Sequence, residues 1–253
     1  MSSQRLLKPR RKPLLRAYSS KINKYNRIRA HPQLVACLPD TSVYAPGLLS
    51  RFLQKYKTVF VKPDGGFGGI GVIGLRQSNG KIKALHQKRH LTFRDCGEAD
   101  EWLKRFFLRR RYVIQQGIDL LPLGGRPVDI RTIVQKNRRG TWAVTGMFAK
   151  VAPKGKVVTN VKAGGRVISV GRYLTGSGLT VRQRAQVLRK LNRLSVQISK
   201  SMARTYRNTL YALDLGVDRN ARVWLIEVNT HPSLRVLLQV SRSMYLRTIR
   251  YRR

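Results

Sequence analysis

The sequence predicts an α+β fold, and three observations carry that prediction. Strand-like segments come mostly as hairpin pairs. Helical segments stand between those pairs instead of following every strand. No internal repeat with a period of roughly 20–50 residues is visible. At 253 residues and 42% hydrophobic, the chain can bury a sizeable core as one large domain or two small ones.

Residues 1–30 read as a basic, weakly structured arm. Leu34–Leu38 reads as a short strand, and Pro39-Asp40-Thr41 as a turn that starts a helix. Leu48–Tyr56 has the spacing of a short amphipathic helix. Thr58–Lys62 is an expected strand, broken by Pro63 and by Asp64-Gly65-Gly66-Phe67-Gly68-Gly69-Ile70-Gly71. Val72–Arg76 resumes as a strand, so the glycines describe a hairpin loop with an open backbone. Ala99–Arg109 is expected to be helical and Tyr112–Ile118 to be an apolar strand. Asp129–Gln135 and Thr141–Val151 alternate as an antiparallel pair, with Lys136-Asn137-Arg138-Arg139-Gly140 as the turn. Lys162–Tyr173 reads as loop and short strand. Leu179–Tyr206 is the longest expected helix, with Val187, Leu188, Leu191, Leu194, Ile198 and Met202 on one face. Two further strands, Leu210–Leu215 and Val223–Asn229, flank the turn Gly216-Val217-Asp218-Arg219-Asn220. Leu234–Arg250 is expected to be a last, basic helix.

Charge is the most lopsided property of the chain. It has 52 Lys and Arg against 11 Asp and Glu, a formal net charge of +41. Such a surface attracts polyanions: nucleic acid, an anionic polymer or an anionic membrane. Residues 1–29, 130–213 and 235–253 contain no acid at all. Along the longest helix, Arg182, Arg189, Arg193, Lys200, Arg204 and Arg207 form a narrow stripe opposite the apolar face. That stripe is either a solvated back or a polyanion rail, and no Glu or Asp is present to make the usual i,i+4 pairs. No apolar run approaches the roughly 18 residues of a membrane span. The N-terminus lacks the apolar stretch of a signal peptide. Cys37 and Cys96 give neither a disulfide framework nor metal-ligand spacing, which fits reduced thiols in a cytoplasmic protein.

Where acids are scarce, their positions are informative. Asp214 and Glu227 sit on neighbouring apolar strands, and Asn229 lies two residues beyond Glu227 on the same strand face. An unpaired carboxylate in such a setting is costly, so a cation belongs beside it. An all-oxygen trio suits magnesium, which binds few carboxylates and shares phosphate oxygens. A buried ion pair with an arginine satisfies the same residues, and the trio alone does not decide between them.

Other segments add to the pattern. Lys62 ends a strand directly before the glycine hairpin, whose backbone N–H groups can close on phosphates. The strand Tyr112–Ile118 ends in Gln115-Gln116-Gly117-Ile118-Asp119, either a core strand with a polar exit or a hinge presenting backbone to an adenine edge. Asp129-Ile130-Arg131 places a carboxylate and a guanidinium on one strand face, and Lys150 and Asn160 follow farther along.

Taken in order, these stretches resemble the ATP-grasp superfamily, and specifically its YheC/YheD family of endospore coat-associated proteins. The matching segments are Phe60-Val61-Lys62-Pro63 with the glycine hairpin, Tyr112–Ile118, Gly125–Arg131, Val144-Thr145-Gly146 through Thr159-Asn160 and Gly164-Gly165, Leu213–Asp218, and Trp224–Asn229. Leu38-Pro39-Asp40-Thr41 fits upstream. The resemblance implies an ATP-grasp fold, two α+β subdomains gripping a nucleotide, over 34–235. A basic N-terminal arm at 1–33 and a basic C-terminal helix or tail at 236–253 would flank it.

Further implications of the resemblance concern the site. Lys62 would contact ATP phosphates, with Gly65, Gly66, Gly68 and Gly69 closing over them. Gln115, Gln116, Gly117 and Ile118 would hold adenine, and Asp119 the ribose. Asn160 would also contact nucleotide. Asp214, Glu227 and Asn229 would hold Mg2+, and Arg131 and Lys150 would face the transferred phosphoryl group. The implied reaction activates an unidentified carboxylate as an acyl-phosphate for attack by an amine or thiol. Two alternatives stand beside it. One is a non-catalytic nucleotide-binding, polyanion-binding or spore-coat structural protein on the same scaffold. The other is phosphotransfer to a small acceptor. Departures from the family pattern are Gln116 where many members place Glu, Lys150 for a frequent Arg, and Asn229-Thr230-His231-Pro232-Ser233 for the usual small-Pro-Gly ending.

Overall fold

Two antiparallel sheets, whose strands are joined by one crossing of the chain, organise the computed structural model, which describes residues 20–66, 68–87, 89–108, 110–153 and 164–251. The first sheet has six strands: β1 (Thr41–Val43), β2 (Thr58–Pro63), β3 (Ile73–Ser78), β4 (Lys81–His86), β5 (Arg89–Phe93) and β6 (Tyr112–Gln116). Their spatial order is β1-β6-β2-β3-β4-β5. The second has five: β7 (Val128–Lys136), β8 (Trp142–Val151), β9 (Arg166–Ile168), β10 (Leu210–Val217) and β11 (Val223–Asn229), in the order β11-β10-β7-β8-β9.

Each sheet buries one face under helices. Over the first lie α3 (Leu48–Lys55) and α4 (Cys96–Phe107), which bury Leu49, Phe52, Leu53, Ala99 and Leu103 against Val59, Val61, Ile73, Leu75 and Ile114. Asp95 caps α4 by accepting from the Glu98 amide at 2.9 Å. Over the second lies α6 (Val181–Tyr206). Its buried residues Val187, Leu191, Ser195, Ile198, Met202 and Tyr206 recur every three or four positions and pack against the face of β7, β8 and β10 that carries Ile130, Val134, Ala149, Leu213 and Leu215. Thr180 and Gln183 close a reciprocal capping box at its start. Leu188, expected on the apolar face, is exposed because it lies about 100° around the helix from Val187. Ser195 takes the buried place instead and bonds Thr132 at 2.9 Å.

The crossing between sheets runs from Gly117 to Leu121. The Gly117 amide donates to Thr58 O at 2.8 Å, and Leu121 N donates to Val217 O at 2.7 Å. A Cβ at Gly117 would stand 2.7 Å from Thr58 O, so the chain can leave the first sheet here only without a side chain. The strand therefore ends at Gln116 and not at the expected Ile118.

Several expected elements differ. The segment expected to be a weakly structured arm holds α1 (Lys21–Arg29), capped by Ser20 and burying Ile22 and Ile28. Leu34–Leu38 is not a strand. Pro32 opens the short helix α2 (Pro32–Val35), and Leu34 and Leu38 join the core of the second sheet. Thr41 begins β1, not a helix, because Thr41–Val43 pairs with Val113–Gln115. Strands β4 and β5 were unexpected. In β4, exposed Lys81 and Lys83 alternate with buried Ile82 and Ala84. Between β9 and α6 the chain forms α5 (Val170–Gly176). The expected C-terminal helix is split into a 3-10 turn (Arg235–Gln239) and α7 (Arg242–Arg250), with Ser241 capping the second piece. Leu237 packs with Ile133, Phe148 and Ala212 on the sheet face opposite α6.

Candidate functional site

The alternation of β7, β8, β10 and β11 sends one set of polar side chains to a single face of the second sheet. Asp214 on β10 lies in register with Arg131 on β7 and with Glu227 on β11, and Asp129 pairs with Lys150 on β8. Arg131, Asp214 and Glu227 thus form one row across the sheet, beside the Asp129–Lys150 row. Two carboxylates facing each other across a ladder repel, so cations must separate or flank them.

At Asp214 they do. Arg131 donates from Nε to Oδ1 at 2.7 Å and from Nη2 to Oδ2 at 2.6 Å, while Lys150 Nζ donates to Oδ1 at 3.1 Å. Asn229 Nδ2 adds a contact to Oδ2 at 3.3 Å. Burial alone would raise the Asp214 pKa, but Lys150 and Arg131 hold the carboxyl well below its usual range. Burial pulls Lys150 down, yet Asp214 and Asp129 together keep its pKa above the ordinary lysine value. Its ammonium stands 2.9 Å from Asp129 Oδ1.

Glu227 is differently placed. Its partner is Lys21 on α1, 3.4 Å from Oε1, in a side chain 27% exposed against 6% for Asp214. Lys21 Nζ also donates to Gly66 O at 3.2 Å, and Lys24 Nζ to Val228 O at 2.9 Å. From the first sheet, Lys62 Nζ donates to Gln115 Oε1 at 2.6 Å. Burial lowers both Lys24 and Lys62 to about 8, in each case against the pull of Glu227. Three ammonium groups therefore converge on one cleft between the sheets, whose walls include Tyr25, Val113, Gln115, Leu225 and Glu227. The cleft has a volume of about 40 Å3, whereas ligand sites hold about 300–1,000 Å3. The lysine side chains must swing aside for a ligand of nucleotide size.

The glycine hairpin borders the cleft. Gly66, Gly68, Gly69 and Gly71 all have positive φ, between 73° and 113°, which glycine adopts without strain. Its base is fixed by Asp64, a buried carboxylate that accepts from Ser20 Oγ at 2.9 Å, Ile22 N at 2.8 Å and Arg111 Nε at 2.8 Å. Asp64 thereby ties the hairpin to the start of α1.

The other expected site residues are spread around this centre. Gln115 also donates from Nε2 to Thr41 Oγ1 at 2.9 Å, whereas the Gln116 side chain accepts from Asp40 N at 3.1 Å and turns away from the cleft. Asp119 pairs with Arg219 at 2.9 Å on the exposed side of the crossing. Gly65 precedes the left-handed glycines, and Ile118 lies in the crossing. Asn160 lies outside the described residues. Lys21, Lys24 and Asp64 did not figure among the expected site residues. Their signal was Ser20 as a helix cap before Ile22, Tyr25 and Ile28 at three-residue spacing, masked by the density of basic residues around it.

A divalent cation fits part of this donor set. Glu227 has one ion partner, and the Asn229 amide oxygen is free of the bond that its Nδ2 makes. Asp214 already receives four donors, about the full acceptor capacity of a carboxylate. It joins a metal only by releasing one of them. Among the described residues there is no cluster of three or more His, Cys, Asp or Glu, so any metal here relies on amide or ligand oxygens.

A YheC/D-like ATP-grasp family model matches residues 14–252. The endospore coat-associated protein YheD of Bacillus subtilis (strain 168) is 27% identical over 225 residues, covering 86% of this chain and 49% of that protein. YheC of the same organism is 23% identical over 220 residues, covering 85% of this chain and 60% of its own length. The chain therefore spans about half the length of the curated relatives it matches. The D-alanine-D-alanine ligase from Coxiella burnetii superposes with a TM-score of 0.52 at 14% identity, over 85% of this chain and 48% of that one. That likeness shows a shared α+β fold, and the family match identifies the fold as ATP-grasp.

Proposed function

The chain belongs to the YheC/D-like ATP-grasp family, and from that premise we propose that it is an ATP- and Mg2+-dependent ligase. It would activate a carboxylate as an acyl-phosphate for attack by an amine or thiol. One observation carries the reading: Lys21, Lys24 and Lys62 converge with Glu227 on a single cleft between the two sheets. Burial lowers the pKa of Lys24 and of Lys62, and a polyphosphate beside them would favour their charged forms.

The residues divide the work. Lys62 and the glycines Gly65, Gly66, Gly68 and Gly69 hold the phosphates, assisted by Lys21 and Lys24. Gln115, Gln116, Gly117 and Ile118 offer the backbone at the end of β6 to the base, with Asp119 near the ribose and Asn160 as a further contact. Arg131 and Lys150, already oriented by Asp214 and Asp129, face the oxygens on which charge develops during transfer. Glu227 and Asn229, with Asp214, would hold Mg2+, which when bound neutralises phosphate charge. The family relatives are named as endospore coat-associated, and we extend that association to this chain.

A second reading, nucleotide binding without turnover, is favoured by the saturated hydrogen bonding of Asp214. The two are separated by incubating the chain with MgATP and a panel of carboxylates paired with amines or thiols, and measuring ADP. The ligase reading expects acceptor-dependent ADP that is lost in Glu227→Gln. Nucleotide uptake with no ADP above background for any pair supports the second reading. ADP with a phosphorylated acceptor and no condensed product would indicate phosphotransfer.

A further inference from the structure

We propose that the outer face of α6 is a rail for the phosphodiester backbone of double-stranded nucleic acid, bound without regard to sequence. Arg182, Arg189, Arg193, Lys200 and Arg204 are all exposed. At about 100° per residue they fall within about 40° of one line, and at 1.5 Å per residue they span about 33 Å. Val187, Leu191, Ile198 and Met202, buried on the second sheet, lie on the opposite side of the helix. The rail therefore faces away from the cleft that holds Glu227.

The rail is costly to the helix that carries it. Arg189 and Arg193, and Lys200 and Arg204, are like charges at i,i+4, which repel. Arg182 sits in the first turn, where the helix dipole disfavours a cation, and no acid stands there to offset it. Among the described residues, none of the five makes an ion pair or a hydrogen bond with its side chain. The chain contains no Asp or Glu from Ile130 to Leu213, so neither α6 nor the strands β7 and β8 beneath it contribute an acid after Asp129. The Lys136 amide donates to Thr209 O at 2.8 Å, which sets the β7–β8 turn, with exposed Lys136, Arg138 and Arg139, beside the end of the rail. Positive charge thus continues past the helix terminus.

Shape and chemistry select the partner. A membrane or a broad acidic protein face would be met by a wide patch, whereas this line is narrow and long, like a polymer chain. Four of the five cations are guanidinium groups, which take phosphate oxygens in pairs, and exposed Gln186 and Gln197 beside them add neutral donors. No aromatic side chain lies on the line, so it offers no stacking platform for unpaired bases. Binding by charge alone favours the duplex, which carries one phosphate per about 1.7 Å of axis.

The test is fluorescence anisotropy of a labelled duplex of about 20 base pairs, titrated with the full chain between about 50 and 200 mM salt. Wild type is compared with Arg189→Gln/Arg193→Gln/Lys200→Gln and with a control of equal charge loss, Arg76→Gln/Lys81→Gln/Lys83→Gln, on exposed positions of β3 and β4. Thermal unfolding confirms that both variants fold. The rail predicts that the slope of log affinity against log salt falls by about 2.7 in the first variant, three phosphate contacts at about 0.9 each. The control should change it by less than about 1, and a single strand of equal length should bind more weakly. Equal slopes in the two variants would overturn the proposal. So would polyglutamate or anionic vesicles binding as tightly as duplex and losing that binding in the rail variant.

Discussion

Lys21 on α1 stands 3.4 Å from Glu227 on β11, across a cleft that also admits Lys24 and Lys62. This ion pair links the N-terminal helix to the second sheet, and its cation occupies one face of the carboxylate proposed to hold Mg2+. Lys21→Met removes that competitor. Mg2+ titrated without nucleotide should then bind at least about threefold more tightly than to wild type. In Glu227→Gln the Mg2+ dependence of nucleotide binding should fall at least about tenfold, since a charge-assisted contact contributes about 1.5–3 kcal/mol. Calorimetric titration of both variants checks the pair, and unchanged Mg2+ binding in both would remove Glu227 from the metal site.

Nucleotide binding should take up protons. Burial lowers Lys24 and Lys62 to about 8 in the free protein, and a neighbouring polyphosphate should raise both. Near pH 8 each is about half protonated, so together they should take up about one proton per nucleotide, and almost none near pH 6. Calorimetry in buffers of different ionisation enthalpy reads this directly. The same shifts fix a stability trend for the free protein. The folded-state values lie below the ordinary 10.5, so between about 8 and 10.5 the unfolded chain binds more protons and stability rises with pH. Thermal midpoints that fell across that window in step with lysine deprotonation would contradict the assignment.

Asp214→Asn should destabilise the fold. The substitution takes from Arg131 the carboxylate it is paired with and leaves Lys150 paired with Asp129 alone. Removing one partner of a buried ion pair costs about 3–5 kcal/mol, and the remaining Asp129 places the expected loss near 3. Adding Lys150→Met should recover part of it, as urea unfolding of the two variants would show. In wild type the depressed Asp214 pKa contributes stability above the ordinary value of 3.8. That contribution is lost as the solution is acidified through the lower folded-state value.

Gly117→Ala should open the crossing between the sheets. Its Cβ would meet Thr58 O at 2.7 Å, a backbone atom that cannot rotate away. Overpacking of this kind costs about 1–3 kcal/mol. Because Gln115 and Lys62 are anchored next to this point, nucleotide affinity should fall with stability. A variant with unchanged melting and unchanged affinity would show that the crossing tolerates displacement.

Much of the second sheet was legible in the sequence, because its strands are long and their pattern is unambiguous. The Asp129-Ile130-Arg131 spacing and the hairpin from Leu210 to Asn229 placed Arg131, Asp214 and Glu227 on strand faces that the structure aligns in one row. The pairing of Asp214 with Arg131 and Lys150 was less legible, since register between non-consecutive strands is a tertiary property. Helix α1 was missed because a run of cations lowers mean hydropathy and hides Ile22, Tyr25 and Ile28. Strands β4 and β5 are short. Lys81 and Lys83 alternate along β4 in a way that resembles a loop, and β5, at the sheet edge, is mostly polar or exposed. The break at Ser241 escaped notice because Val240 and Met244 sustain a helical spacing across it.

Equilibrium dialysis of ATP against the full chain, with and without Mg2+, tests the central claim most directly. The account predicts uptake of about one ATP per chain with Mg2+, weakened at least about tenfold by EDTA and again by Lys62→Met, a loss of the size of one charge-assisted contact. No Mg2+-dependent uptake at millimolar ATP, with the protein folded, would contradict it.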